Sequence, residues 1–143
     1  GREMLDAIER ALALARSSND YVAFRAHIYA DADRFLQRVI CDSRETVPLT
    51  LAIVLLAEGD VQRSVMYGAN LGRDADTIAS MAGAIAGALG GAEAVPTEWA
   101  DKARRLCAQD QEQLALDLAR TAIARQLDQS AAAQRLEMLY RTP

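Results

Sequence analysis

Apolar residues recur three and four positions apart along most of the chain, and polar clusters fall where the recurrence breaks, so the pattern predicts helices throughout. Over residues 3–16, Leu5, Ile8, Leu12 and Ala15 share one face. Ser17, Ser18, Asn19 and Asp20 then end that helix and offer a fresh N-cap. From 21 to 41, Phe24, Ile28, Phe35, Val39 and Ile40 continue the period with a break near 30–32, and the polar run 42–45 reads as a loop. Thr46 is the expected cap of the next helix, with Pro48 in its first turn, where a missing N–H has no intrahelical partner to lose. Nearly every position over 47–58 is apolar, which places this helix at the centre of the fold with Leu51, Ile53, Val54 and Leu55 buried. Gly59 ends it, Asp60 caps a helix over 61–71, and Gly72 and Arg73 form a loop. A helix over 74–89 follows, burying Ile78, Ile85 and Leu89, and stops at Gly90 and Gly91. Pro96 and Thr97 open a helix carrying Trp99, Ala103 and Leu106. Residues 111–140 read as one long helix or two shorter ones, with Leu114, Leu118, Ile123, Leu127, Leu136 and Leu139 as candidate buried positions.

Composition agrees with this reading. Alanine, the best helix former, supplies 29 residues, while Val, Ile, Phe, Tyr and Trp are scattered, so the fold class is all-α. A length of 143 residues without repeat or linker fits a single domain spanning 1–143. Sixteen basic against 20 acidic residues leave a net charge of −4, which argues against a duplex nucleic acid as partner. The longest nearly uncharged run, 75–92, is rich in Ala and Gly, contains Asp76 and falls short of the roughly 20 apolar residues of a membrane span. With no basic region leading into an apolar stretch at the start, and with only Cys41 and Cys107, the chain reads as cytoplasmic, its two thiols small, buried and unpaired.

Most catalytic chemistries lack their residues here. His27 is the only histidine and lies beside Phe24 and Ile28, where a satisfied structural role is the plain reading. One His and two distant Cys make neither a zinc signature nor a nucleophile–base pair, and no phosphate-cradling glycine loop is present. Gly83, Gly87 and Gly91 recur every four residues inside or at the end of a helix, which reads as close helix packing through Ala79, Gly83, Ala86 and Gly87. The informative segment is 70–79. Asp74 and Asp76 lie two residues apart at a loop-to-helix junction, Thr77 follows, and Gly72 permits a left-handed backbone at the approach. Oxygen ligands without nitrogen or sulfur suit Mg²⁺, Mn²⁺ or Ca²⁺, whereas the plain structural reading makes Asp74 an N-cap and Asp76 a first-turn acid favoured by the helix dipole. An EF-hand is excluded, because Ile78 and Ala79 stand where a ligand and the turn glycine belong.

Four stretches taken together carry more than local spacing. Residues 43–52 read Ser-Arg-Glu-Thr-Val-Pro-Leu-Thr-Leu-Ala, and 57–60 read Ala-Glu-Gly-Asp. Residues 69–88 read Ala-Asn-Leu-Gly-Arg-Asp-Ala-Asp-Thr-Ile-Ala-Ser-Met-Ala-Gly-Ala-Ile-Ala-Gly-Ala, and 95–99 read Val-Pro-Thr-Glu-Trp. In this order and at these separations they closely resemble the C-terminal half of the ADP-ribosylglycohydrolases, with the flanks 1–41 and 103–143 less similar. The resemblance implies an orthogonal helical bundle around a two-metal Mg²⁺ or Mn²⁺ centre that hydrolyses the bond between ADP-ribose and a protein side chain or small acceptor. It implies Asp74, Asp76 and Thr77 as metal ligands, although Ala75 replaces the threonine usual between the two aspartates. Asn70, Gly72 and Arg73 flank this position and are therefore candidate substrate-loop residues, while Ser43 and Glu45 match a second loop of the family and otherwise read as a solvated turn.

The family's earlier Gly-Asp segment and Thr-Asp-Asp run have no counterpart in 1–73, and Asp31-Ala-Asp33 reads as a solvated helix side. The chain is therefore expected to be the C-terminal portion of a longer enzyme. Its general acid or base would lie in the missing half, its own metal binding would be weak, and its exposed apolar surface would be covered by a homo-oligomer contact or a complementary N-terminal fragment. The competing reading is a non-catalytic helical fragment or interaction module that keeps the fold without a complete metal site.

Overall fold

The computed structural model describes residues 1–141, with the side chains of Leu139 and Arg141 outside the description. Among these residues the regular structure is entirely helical. The α-helices are α1 (Arg2–Ser17), α2 (Tyr21–Ala30), α3 (Ala32–Phe35), α4 (Ser43–Leu56), α5 (Val61–Leu71), α6 (Ala75–Gly90), α7 (Thr97–Leu106) and α8 (Gln111–Arg141), with a short 3-10 turn at Ala92–Ala94. The contacts fall into two compact units, Gly1–Thr97 and Glu98–Pro143.

The core of the first unit gathers Ala11 and Ala15 of α1, Phe24 and Ile28 of α2, and Leu49, Ala52, Ile53 and Val54 of α4, with Leu71, Ile78 and Ala82 from α5 and α6. α4 is the hub, with α1 on one side and α6 on another, while α5 lies along α6. The central place expected for this helix is observed, but Leu55 is 39% exposed and Leu89 of α6 is 72% exposed. Leu51 and Ile85 are half-buried. In α1 the buried row is Ala7, Ala11 and Ala15, and Leu5 is 55% exposed. Small residues set this contact because they let α1 approach α4 closely, and the longer Leu5 is left on the flank.

Helix boundaries follow side-chain chemistry. Asp20 accepts a hydrogen bond from the Ala23 amide at 2.7 Å and Asp60 from the Arg63 amide at 2.7 Å, and each satisfies a donor that the first turn leaves without an intrahelical partner. The break expected near 30–32 falls at Asp31, between α2 and α3. The expected loop at 42–45 is not one. Asp42 caps α4, so the helix starts at Ser43 and Pro48 lies inside it, where it removes one backbone hydrogen bond.

α5 and α6 meet through small residues. A Cβ on Gly68 would lie 2.7 Å from the Ala79 Cα, and one on Gly83 would lie 2.8 Å from the Val65 Cγ2, but one on Gly87 would touch nothing. Gly83 therefore belongs to the packed face and Gly87 does not.

In the second unit, Arg104 of α7 pairs with Asp101 and with Glu112 of α8. α8 is one continuous helix. Leu114, Leu118, Ile123, Leu127 and Leu136, expected to be buried, are each 43% to 65% exposed, since a helical period of apolar residues marks a face without supplying a surface to pack it. The same expectation for Leu139 concerns a side chain outside the described residues. Cys41 and Cys107 are free thiols, but both are exposed, one in the turn before α4 and the other just past the end of α7. His27 is likewise on the exposed side of α2, with Nδ1 2.9 Å from the Ala23 carbonyl oxygen. Among the described residues no helix is long and apolar enough to cross a membrane.

Two outcomes follow. Gly68→Ala is expected to overpack the α5–α6 crossing and lower unfolding free energy by about 1–3 kcal/mol, whereas Gly87→Ala should gain about 0.5–1 kcal/mol from helix propensity; urea unfolding of both variants compares them. The Asp42 carboxyl is held down at about 2, chiefly by the side-chain hydrogen bonds of Arg44 and then by the Arg44 amide. Its stabilising effect is complete above the unfolded aspartate value of about 3.9 and is lost as pH falls from there toward the folded value. Asp42→Asn should therefore flatten the fall of the urea midpoint between about pH 4 and 2.

Candidate functional site

The segment joining α5 to α6 turns sharply, with Gly72 at φ 93° and Arg73 at φ 62°. Glycine accepts such a backbone without strain, but arginine is rarely found there. Tyr29 shows why position 72 has to be glycine, since its hydroxyl occupies the space a Cβ would take. That hydroxyl donates to the Leu71 carbonyl at 2.9 Å, and Arg25 Nε donates to the Asn70 and Leu71 carbonyls at 3.1 and 3.0 Å. The carbonyls at the end of α5, which have no intrahelical donor, are thus satisfied from α2. The Arg25 guanidinium also lies over the Tyr29 ring, 4.8 Å from its centroid.

Arg73 holds the other side of the segment. Its Nε and Nη2 donate to the two Glu45 carboxylate oxygens at 2.8 and 2.7 Å, and Nη2 also donates to the Gln37 carbonyl. The Gln37 amide in turn donates to Glu45 Oε2. Glu45, expected in a solvated turn, is fully buried, and the Arg73 side chain is 23% exposed. Hydrogen bonding to Glu45 raises the Arg73 guanidinium further above its ordinary range, so it stays charged.

Immediately after this clasp comes the acidic turn. Asp74 is the N-terminal flanking residue of α6, yet its side chain caps no backbone amide. Instead its Oδ1 accepts a hydrogen bond from Thr77 Oγ1 at 3.0 Å. Asp76 and Thr77 are exposed in the first turn, and Asp74 is half-buried. The plain structural reading of Asp74 as a side-chain cap is therefore not met. Two carboxylates and a hydroxyl share one short surface segment, a donor set of hard oxygens that matches Mg²⁺ or Mn²⁺ in kind. Among the described residues, however, no group of three or more His, Cys, Asp or Glu could by itself hold a metal ion.

The remaining candidates separate. Asn70 donates through Nδ2 to the Met66 carbonyl at 2.7 Å, so its amide is partly committed to α5. Ser43 is exposed in the first turn of α4, two residues from Glu45. Asp31 and Asp33 are exposed, and Asp31 faces Arg34 at 3.8 Å. The local sequence gave no sign of Arg25, Tyr29 and Gln37, because their link to residues 70–73 spans more than 30 positions.

The profile of the ADP-ribosylglycohydrolase family matches residues 1–130. The uncharacterized protein YegU of Escherichia coli (strain K12) is 51% identical over 51 residues, which cover 36% of this chain and 15% of that protein. ADP-ribosylhydrolase ARH3 of Bos taurus is 59% identical over 39 residues, covering 27% of this chain and 11% of its own length. The Homo sapiens ARH3 is 54% identical over 43 residues, 30% and 12% of the two chains. These matches thus span less than a sixth of the relatives' length. No solved structure matches the chain.

Removing the Arg73 side chain would leave the Glu45 carboxylate buried without its counter-charge. Arg73→Ala is expected to cost about 3 kcal/mol in unfolding free energy, the low end for a broken buried pair because the arginine side of the clasp is open to water. Denaturant titration at neutral pH measures it.

Proposed function

Since the chain belongs to the ADP-ribosylglycohydrolase family, we propose that the whole protein hydrolyses ADP-ribose glycosidic linkages on protein side chains or small acceptors in a Mg²⁺- or Mn²⁺-dependent reaction. The observation that carries this reading is the acidic turn at the start of α6. There the Asp74 carboxylate is withheld from helix capping and lies beside Asp76 and Thr77. An aspartate serving only the helix would accept from an amide of the first turn, as Asp20 and Asp60 do.

In this reading Asp74, Asp76 and Thr77 supply part of one ion's oxygen shell. The remaining ligands, the second ion's shell and the proton-transfer group come from elsewhere in the protein. When bound, the divalent ions supply the charge that orients the ribose hydroxyls and activates water toward the anomeric carbon. Asp74 and Asp76 fix where that charge sits relative to the N-terminus of α6. The Thr77 hydroxyl, donating to Asp74 Oδ1, orients one carboxylate and leaves the other oxygen of Asp74 for coordination. Asn70 and Gly72 border the same turn and are the positions where substrate would pass closest to the backbone, and exposed Ser43 is a further candidate contact.

Replacing both carboxylates tests the reading in the whole protein. The Asp74→Asn/Asp76→Asn variant should retain its helical circular dichroism and lose Mg²⁺- or Mn²⁺-dependent release of ADP-ribose, since amides bind hard cations more weakly. Turnover that persists in the double variant at saturating metal would defeat the assignment.

A further inference from the structure

Between the end of α5 and the start of α6, the chain is gripped at two places with only Gly72 between them. α2 holds the carbonyls of Asn70 and Leu71, and the α4 end of the fold holds the guanidinium of Arg73. Arg73 occupies the left-handed region at φ 62°, a conformation uncommon for a non-glycine residue. The surroundings here are a closed ring, in which Arg73 donates to Glu45 and to the Gln37 carbonyl while the Gln37 amide donates back to Glu45.

We propose that Arg73 and Glu45 are positioning residues that set the direction of the Asp74 and Asp76 carboxylates, and that Arg73 acts through this clasp and makes no contact with substrate. The proposal rests on the reading of Asp74 and Asp76 as divalent-cation ligands. Three features carry it. Arg73 Nε and Nη2 are both spent on the clasp, so the edge of the guanidinium that would grip a phosphate or carboxylate in a bidentate fashion is occupied. The peptide after Arg73 leads directly into Asp74, so rotation at Arg73 swings the whole acidic turn. Glu45 is fully buried, and the guanidinium satisfies both of its oxygens only in this loop conformation. A buried ion pair adds little net stability over apolar packing, but it discriminates sharply between arrangements that satisfy it and arrangements that do not.

Arginine is required at this position for its planar fork; a lysine ammonium keeps the charge and cannot bond both carboxylate oxygens in that geometry. The test therefore compares Arg73→Lys, Arg73→Gly and Glu45→Gln with the unaltered whole protein. It uses Mn²⁺ titration followed by calorimetry, hydrogen exchange over the amides of 72–78 against those of 82–87, and turnover as a function of Mn²⁺. Mn²⁺ affinity is expected to fall by about 10–100-fold in Arg73→Gly and Glu45→Gln and by less in Arg73→Lys, as for residues that orient metal ligands. Exchange should accelerate over 72–78 and stay slow over 82–87, and kcat and KM should return toward the unaltered values once Mn²⁺ is saturating.

Unchanged Mn²⁺ affinity together with unchanged exchange overturns the proposal, as does a KM that stays raised at saturating Mn²⁺, which would make Arg73 a substrate contact. Should Arg73→Gly fail to fold, Arg73→Lys and Glu45→Gln carry the same comparison. If the unaltered protein takes up no Mn²⁺, the ligand reading falls by itself, and the exchange comparison still decides whether the clasp holds the turn.

Discussion

A carboxylate removed from water must be met by a counter-charge and by hydrogen bonds, or it destabilises the fold that buries it. Glu45 imposes that condition on the first unit of this protein. It lies in the first turn of α4, the helix against which α1 and α6 pack. Its partners come from two other segments, Gln37 in the stretch after α3 and Arg73 in the turn before α6. One buried side chain thus ties together three parts of the chain, the last of them 28 positions beyond Glu45. Apolar burial elsewhere in the unit is non-directional, whereas this link needs donors placed on both carboxylate oxygens.

The α5–α6 connection shows how that constraint combines with sterics. The close crossing of Gly68 on Ala79 fixes the distance between the two helices, and the connection between them has to reverse direction within three residues. Gly72 makes the reversal possible because its backbone is left-handed and because Tyr29 fills the place of a side chain. Arg73 then continues the left-handed backbone without glycine's freedom, and its bonds to Glu45 and Gln37 hold it there. The acidic turn that follows inherits its position from these two residues.

Much of this was readable from sequence, and the failures have a common cause. The helices over 61–71 and 74–89 were legible because Asp60 and Asp74 begin them and because glycine follows each, cues that depend only on neighbours along the chain. The start of α4 lies four residues earlier than the sequence suggests. Thr46 and Pro48 looked like a cap and first turn, while Asp42 makes the actual cap. Asp42 and Glu45 have the spacing of a reciprocal capping pair, yet Glu45 turns away from the helix end toward Arg73, 28 positions later. A solvated acid and a buried one have the same local sequence here; the partner that decides between them lies across the fold. The alanine row of α1 is legible only in part: Ala15 lies on the expected face and is buried, but the small residues Ala7 and Ala11 take the contact where Leu5 and Leu12 stand out in the sequence.

The same distinction bears on the candidate site. Asp74, Asp76 and Thr77 were visible as a group because they are contiguous, and contiguity is enough to gather oxygen donors at one helix start. It does not aim them. An ion's shell demands oxygens directed at a common point, so the donors need a backbone that does not drift. In this fold Arg25, Tyr29, Gln37 and Glu45 bond the segment that leads into the turn, and of these only Glu45 stands out as a candidate in the sequence. The charge at Arg73 is consequently better understood through the carboxylate it buries than through any anion it might have met in solvent. A basic residue next to an acidic turn ordinarily weakens cation binding by repulsion; with its charge neutralised by Glu45 on the far side, Arg73 can shape the turn while adding little positive field to it.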